Sequence, residues 1–367
     1  MIIRDFGVNK KGDAAKLFIF ENQNGMEMQV SSFGATLHKL IVPDKNGVKR
    51  DVVLGYDAPS GYEGPSGTFF GATVGRHANR IGKAVYEHNG VIYQLEKNNG
   101  ENNLHSGFDC WSFRVWNVKE TTENSITFAI HSPDGDQGFP GNVDMEVTYT
   151  LTENNSIVIN YHGTTDADTP INMTNHSYFN LAGHTSGTVY DHILWIDSDE
   201  FTPTDAALIP IGKNIPVEGT PMDFRTAKKI GLEINADYEA LKFGKGYDHN
   251  WALKNNGEFK KVAELYSEES GICMEMHTDL PGIQMYTANY INNEAGKDGA
   301  IYQQNQGATF ETQYYPDSVN HANFKSCICK NRRRLNRCGF GAQPFCWFKA
   351  RENRSRARYL ATVGCAS

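Results

Sequence analysis

The chain has 367 residues, 39% of them hydrophobic and 21% charged, which is enough apolar material for a large buried core and too little charge for an intrinsically disordered protein. No apolar run is long enough to cross a bilayer, and the opening MIIRDFGVNKKGD lacks the apolar stretch and cleavage site of a signal peptide, so a cytoplasmic protein is expected. The net charge of −8 is unevenly spread, since residues 327–367 hold ten Lys and Arg against one acidic residue, leaving an acidic body that repels nucleic acid and anionic membranes.

Along the chain, the first clear strand-like run is ATLHKLIV (35–42), followed by an Asn46-Gly47 turn; PSGYEG (59–64) is one of two short helical possibilities. GRHANRIG (75–82) precedes YEHNGVIY, whose Asn89-Gly90 supplies the positive φ angles that a two-residue hairpin needs, and NNLHSG follows at 102–107. SITFAIH, DMEVTYTLT and SIVINYHG, between 125 and 163, are rich in β-branched and aromatic residues. TNHSYFNL (174–181) alternates, so a strand there places Thr174, His176, Tyr178 and Asn180 on one face and Asn175, Ser177, Phe179 and Leu181 on the other. HILWIDS (192–198) leads to the second helical possibility, TAKKIGLEI (226–234). YDHNW (247–251), a hairpin signal at Asn256-Gly257, KVAELYS (261–267), ICMEMHT (272–278), PGIQMY (281–286) and FETQYYPD (310–317) complete the body.

Strand candidates recurring about every 8–12 residues between turn signals predict an all-β, antiparallel fold with few short helices, in one domain over 1–326. The composition breaks near Lys325. Residues 327–367 form an atypical basic tail with five of the seven cysteines and no hydrophobic period, as a shifted reading frame or a solvated extension would. Only Cys110 and Cys273 lie in the body, so neither a disulfide framework nor a zinc spacing is visible, and no metal is expected.

The chemistry gathers in GRHANRIG, NNLHSG, TNHSYFNL, YDHNW with PGIQMY, and FETQYYPD. Alternation sets Glu311 and Gln313 opposite Phe310 and Thr312, and Asp248 and Asn250 opposite Tyr247, His249 and Trp251. Taken singly, each polar residue has a structural reading: a satisfied histidine, an ion-paired Arg80, a turn-capping Asp248, an exposed Glu311. Together, two histidines, an arginine, two carboxylates and side-chain amides match the paired donors and acceptors of sugar hydroxyls, with aromatics for a ring's apolar face.

On these motifs the chain, from residue 1 to about 325, resembles the aldose 1-epimerase (galactose mutarotase) family, most specifically in TNHSYFNL and ETQYYPD. The resemblance implies a large antiparallel β-sandwich, the galactose mutarotase-like supersandwich, a free aldohexose as substrate and partner, and no cofactor. It implies that Glu311 is the general base, His176 the general acid and His105 an assistant at the sugar ring. Arg80, Asn79, Asp248 and Gln284 would bind hydroxyls. Ser106 stands where glycine commonly follows the histidine. Mutarotation needs one base at the anomeric hydroxyl and one acid at the ring oxygen, and a carboxylate beside an imidazole supplies both near neutral pH.

A glycosidase using Glu311 and Asp248 as its two carboxyl groups is an alternative, as is a non-catalytic sugar-binding protein on the same fold. Nucleic-acid binding by the tail has only unpatterned arginines in its favour. The resemblance also implies a final strand that the basic tail does not visibly supply. That leaves a sheet edge open and predicts that residues beyond Lys330 are dispensable.

Overall fold

The computed structural model describes residues 1–64, 66–331 and 345–350, and the regular structure in them is almost entirely antiparallel strand. The N-terminal meander comprises Ile2–Val8, Ala14–Glu21, Glu27–Ser31, Thr36–Pro43 and Lys49–Asp51, paired in sequence order. Just beyond its last strand, a bridge between Val53 and Phe179 links this meander to a six-stranded sheet. In order, that sheet holds Tyr178–Phe179, Ala308–Gln313, Gly282–Tyr286, Asp248–Ala252, Glu200–Thr202 and Ile215–Pro216.

A nine-stranded sheet contains the long ribbon Ser125–Ser132, Val143–Leu151 and Ser156–Thr165, in which buried positions largely alternate with more exposed ones. One contiguous core draws on all three sheets: Phe18 packs edge-on to Phe128, while Trp251, Ile283 and Met285 enter from the six-stranded sheet. The all-β sandwich expected from the strand pattern is therefore what the chain forms.

The local expectations fare unevenly. Asn89-Gly90, both at positive φ, closes the Val85–His88 and Val91–Gln94 hairpin. Asn256-Gly257 also takes positive φ, but it joins strands of different sheets and closes no hairpin. Pro59–Tyr62 is helical, with proline in the first turn. TAKKIGLEI is not: it forms the short strand Lys228–Lys229 and a 3-10 turn at Ile230–Leu232, because Ile230 is drawn into the core at a sheet edge. The helix lies downstream at Glu239–Gly244 and ends on a left-handed Lys245.

The largest correction concerns the C-terminus. Residues 332–344 and 351–367 of the expected tail lie outside the described residues. Its beginning is woven into the body: Ile328–Cys329 pairs with Thr169–Pro170, Cys327 and Cys329 are buried, and Asp168 takes Lys330 at 2.9 Å and the Asn331 N–H at 2.8 Å.

Phe345–Ala350 is the strand that the sequence reading had missing. It sits in the interior of the nine-stranded sheet, paired over six residues with Ile272–Thr278 and over three with Ser156–Thr165. The four-residue apolar run Phe345 to Phe348 has no alternation, so a period of two cannot reveal it.

Candidate active site

The floor of the site is one face of the six-stranded sheet. Register sets Gln284 opposite both Glu311 and Asn250, and Asp248 lies two residues from Asn250 on the same strand, so Glu311, Gln284 and Asp248 share a face. Tyr247 and Trp251 point the other way and pack on Phe224 in the core. The alternation read from FETQ and YDHNW thus places both carboxylates where expected.

TNHSYFNL is not the single strand its alternation suggested. Thr174–Asn175 pairs with Thr73–Val74, Tyr178–Phe179 pairs with Ala308 and Thr309, and His176 occupies the break between them. Its backbone is held by the adjacent turn: His176 N–H donates to Ala72 O (2.9 Å), and its carbonyl accepts the Gly71 N–H (3.0 Å). Gly71 is required there, since at φ +67 a Cβ would lie 2.1 Å from the Leu37 carbonyl oxygen. His176 and Tyr178 both face the cleft, whereas Asn180 is spent on the Gly187 and Gln306 carbonyls.

The opposite wall comes from the small ribbon of Arg80–Ile81 and Asn103–Leu104. Asn79 (φ +65), His105 (φ +51) and Ser106 (φ +75) are all left-handed, which explains the usual glycine after this histidine. Ser106 offsets the strain with its hydroxyl, which accepts the His77 N–H (2.8 Å) and donates to the His77 carbonyl (3.1 Å). Asn79 clamps His105 through the main chain, donating its N–H to Nδ1 (3.1 Å) and accepting the His105 N–H (3.1 Å). Because Nδ1 accepts, the hydrogen of this neutral ring sits on Nε2, and His105 presents a donor to the cleft.

The walls enclose a cleft of about 520 Å³, lined among others by Phe69, Asn79, Arg80, His105, His176, Tyr178, Asp248, Tyr286 and Glu311. That volume suits one small polar ligand. At its centre His176 Nε2 lies 3.4 Å from Glu311 Oε1, and both side chains are almost fully buried. His176 Nδ1 and Glu311 Oε2 have no partner among the described residues, which leaves two buried polar atoms able to bond a ligand.

Asp248 accepts from Gln284 Nε2 (2.7 Å) and pairs with Arg80 Nη2 (3.5 Å), while Arg80 Nε donates to Asn99 (3.3 Å). The structural reading of Arg80 as an ion-paired residue is therefore correct as far as it goes, and the pair also lines the cleft. The Asn79 side chain accepts the Arg80 N–H (2.8 Å). Asp248→Asn removes the charge opposite Arg80 and makes the Gln284 bond ambiguous. KM for the ligand is expected to rise about tenfold or more with a smaller fall in kcat, read from steady-state rates.

Burial governs the ionisation of the central pair. Desolvation first, and then the Asp248 charge, raise Glu311 to about 8 against the opposing Thr309 hydroxyl and Arg80. Desolvation lowers His176 to about 4. His105 is held well below its ordinary value by burial and by the neighbouring His176 and Arg80. Near neutral pH the pair thus holds one proton.

The donor atoms of His105, His176 and Glu311 lie within 4.8 Å of one another, close enough to invite a metal reading. The His105 tautomer argues against a resident metal, because Nε2 offers a hydrogen rather than a lone pair. All seven residues singled out from the sequence line this cleft or bond directly to its lining. Tyr178, Tyr286, Phe69 and Asn99 also contribute and were not singled out. Tyr178 had a signal, the alternation it shares with His176; Phe69 and Asn99 sit in turns, where spacing carries no facing information.

Comparison with known proteins shows the family. Residues 16–336 match the aldose 1-epimerase family profile. Galactose mutarotase of Mus musculus is 40% identical over 312 residues, covering 85% of this chain and 89% of the relative. Aldose 1-epimerase of Haemophilus influenzae is 39% identical over 318 residues, covering 86% and 91%. The aldose epimerase homologue from C. elegans superposes with a TM-score of 0.83 at 30% identity, covering 92% of this chain and 99% of that one. A galactose 1-epimerase structure from Lactobacillus acidophilus gives 0.81 at 27% identity, over 95% and 98%.

Proposed function

The chain belongs to the aldose 1-epimerase family, isomerases that interconvert sugar anomers, and from that premise we propose that a free aldohexose binds in the cleft with its anomeric centre between Glu311 and His176. The observation that carries the reading is this buried pair, 3.4 Å apart, with Glu311 Oε2 without a partner among the described residues. Arg80, Asp248, Asn79 and Gln284 take the hydroxyls around the rest of the ring.

Before a sugar binds, burial favours the protonated form of Glu311. A sugar hydroxyl donating to Oε2 stabilises the carboxylate and moves the proton to His176. Glu311 then removes the hydrogen of the anomeric hydroxyl while His176 protonates the ring oxygen. The ring opens, the aldehyde turns about its bond to the next carbon, and reclosure returns both protons. His105 supports the ring end with its Nε2–H and exchanges no proton. No cofactor enters the scheme.

Glycosidic cleavage would need Asp248 as a second working carboxyl group, and Asp248 is committed to Arg80 and Gln284. Residues 1–326 supply every side chain named in this scheme. Among the described residues, no helix is long and apolar enough to cross a membrane. Polarimetry on a freshly dissolved pure anomer tests the reading. Rotation should relax faster to the same equilibrium with nothing cleaved; release of a smaller sugar from a glycoside, or no acceleration, refutes it.

The pair also sets the pH profile. Below about 4 both groups are protonated and no base remains; above about 8 both are deprotonated and no acid remains. The plot of kcat/KM against pH should rise through the first value, run flat, and fall through the second. A profile still rising past pH 9 would separate Glu311 from the rate.

A further inference from the structure

We propose that Phe69 is a positioning residue for the epimerisation: its ring, turned into the cleft by a left-handed backbone, sets the plane of the His176 imidazole. The inference rests on His176 acting at the ring oxygen.

The two imidazoles are oriented by different means. His105 is fixed by the hydrogen bond from Asn79 to its Nδ1, whereas His176 Nδ1 has no partner among the described residues. Apart from Glu311, 3.4 Å from Nε2, rings surround His176. Tyr178 lies 5.1 Å away between centroids, His105 meets it edge-on at 5.2 Å and 86°, and Phe69 lies 5.9 Å away at 43°. Phe69 also packs on His105 at 4.8 Å and on Phe113 at 5.1 Å, so one ring touches both histidines and is itself backed by a third aromatic.

The backbone puts it there at a cost. Phe69 has φ +56, a conformation that bulky L-residues avoid and that persists only where the surroundings enforce it. They do so here: the Phe69 carbonyl accepts the Ala72 N–H, closing the turn whose Gly71 and Ala72 hold the His176 main chain. Phe70, next in sequence, goes the opposite way into the core against Tyr56, Tyr178 and Tyr302. The same turn therefore sets the main chain of the acid and, through Phe69, its ring. Strain of this kind gathers at functional sites.

The test compares Phe69→Ala, Phe69→Gly, Phe69→Leu and Phe69→Tyr by polarimetric kcat and KM, with thermal melts. Glycine suits the left-handed backbone, so it removes the ring in a chain that still folds. Loss of the ring (Ala, Gly) should lower kcat by on the order of tenfold or more with KM within about threefold, leucine should fall between, and tyrosine should restore most of the rate. Turnover within twofold of the parent in Phe69→Gly overturns the inference, as does a raised KM at unchanged kcat, which would make Phe69 a substrate platform. If His176→Asn keeps its kcat, the acid is misassigned and this inference falls with it. If His176→Asn loses kcat and Phe69→Gly does not, this inference alone is lost.

Discussion

Glu311→Gln lowers kcat by a factor on the order of 10²–10⁴ while the hexose still binds and the protein melts no lower than its parent. The amide preserves the shape and still accepts the Thr309 hydroxyl that now reaches Oε1 at 3.1 Å, but it cannot take a proton. Stability is spared because the carboxyl group is a burden to the fold: it is 2% exposed, lies near Asp248, and has one oxygen without a partner among the described residues. Relief of that burden should leave the melting temperature equal or higher. His176→Asn should lose activity to a similar degree. Polarimetric rates, calorimetric hexose binding and a melt together check the claim, and near-normal turnover in Glu311→Gln would mean that another group is the base.

Truncation after Asn331 is expected to abolish stable folding or to lower the melting temperature severely, the reverse of what the basic, Cys-rich composition suggests. The lost strand, Phe345–Ala350, is interior to the nine-stranded sheet, so its removal exposes two edges at once, Ser156–Thr165 and Ile272–Thr278. It also empties the site of Phe348, which is fully buried, donates its N–H to the Asn155 carbonyl (2.9 Å) and packs 6.3 Å from Phe179. Phe348→Ala alone should cost about 3–5 kcal/mol, a large share of the roughly 5–15 kcal/mol that holds a domain together, and lower the melting temperature by about 6–10 °C. Phe179 adjoins Tyr178 on the strand that pairs with Thr309, so the damage reaches the cleft floor. A truncated chain that melts within about 2 °C of the full one would show that the strand contributes nothing.

Much of this protein was legible before its structure. The density of β-branched runs and turn signals determined an all-β sandwich, because a period of two is a local property of the backbone. The same period set Glu311 and Asp248 on one face of their strands, opposite their apolar neighbours. The motifs around His105, His176 and Glu311 pointed to the chemistry, because costly polar residues are rarely clustered among apolar ones without a use.

What the sequence could not supply was everything that depends on distant segments meeting. The break at His176 follows from two different pairing partners, Thr73–Val74 and Ala308–Gln313, and alternation along one segment is blind to its partners. The tautomer of His105 comes from a backbone N–H 26 residues away, and the single proton shared by Glu311 and His176 from the burial that closing the cleft creates. Phe69 lies in a turn whose left-handed backbone is enforced by neighbours rather than by its own preference. The last strand was missed because an interior strand needs only a short apolar run, which charged flanks conceal. Local periodicity therefore determined the fold class and the facing of the carboxylates, whereas proximity, protonation and strand partnership were decided by tertiary contacts, since each is a relation between residues far apart in the chain.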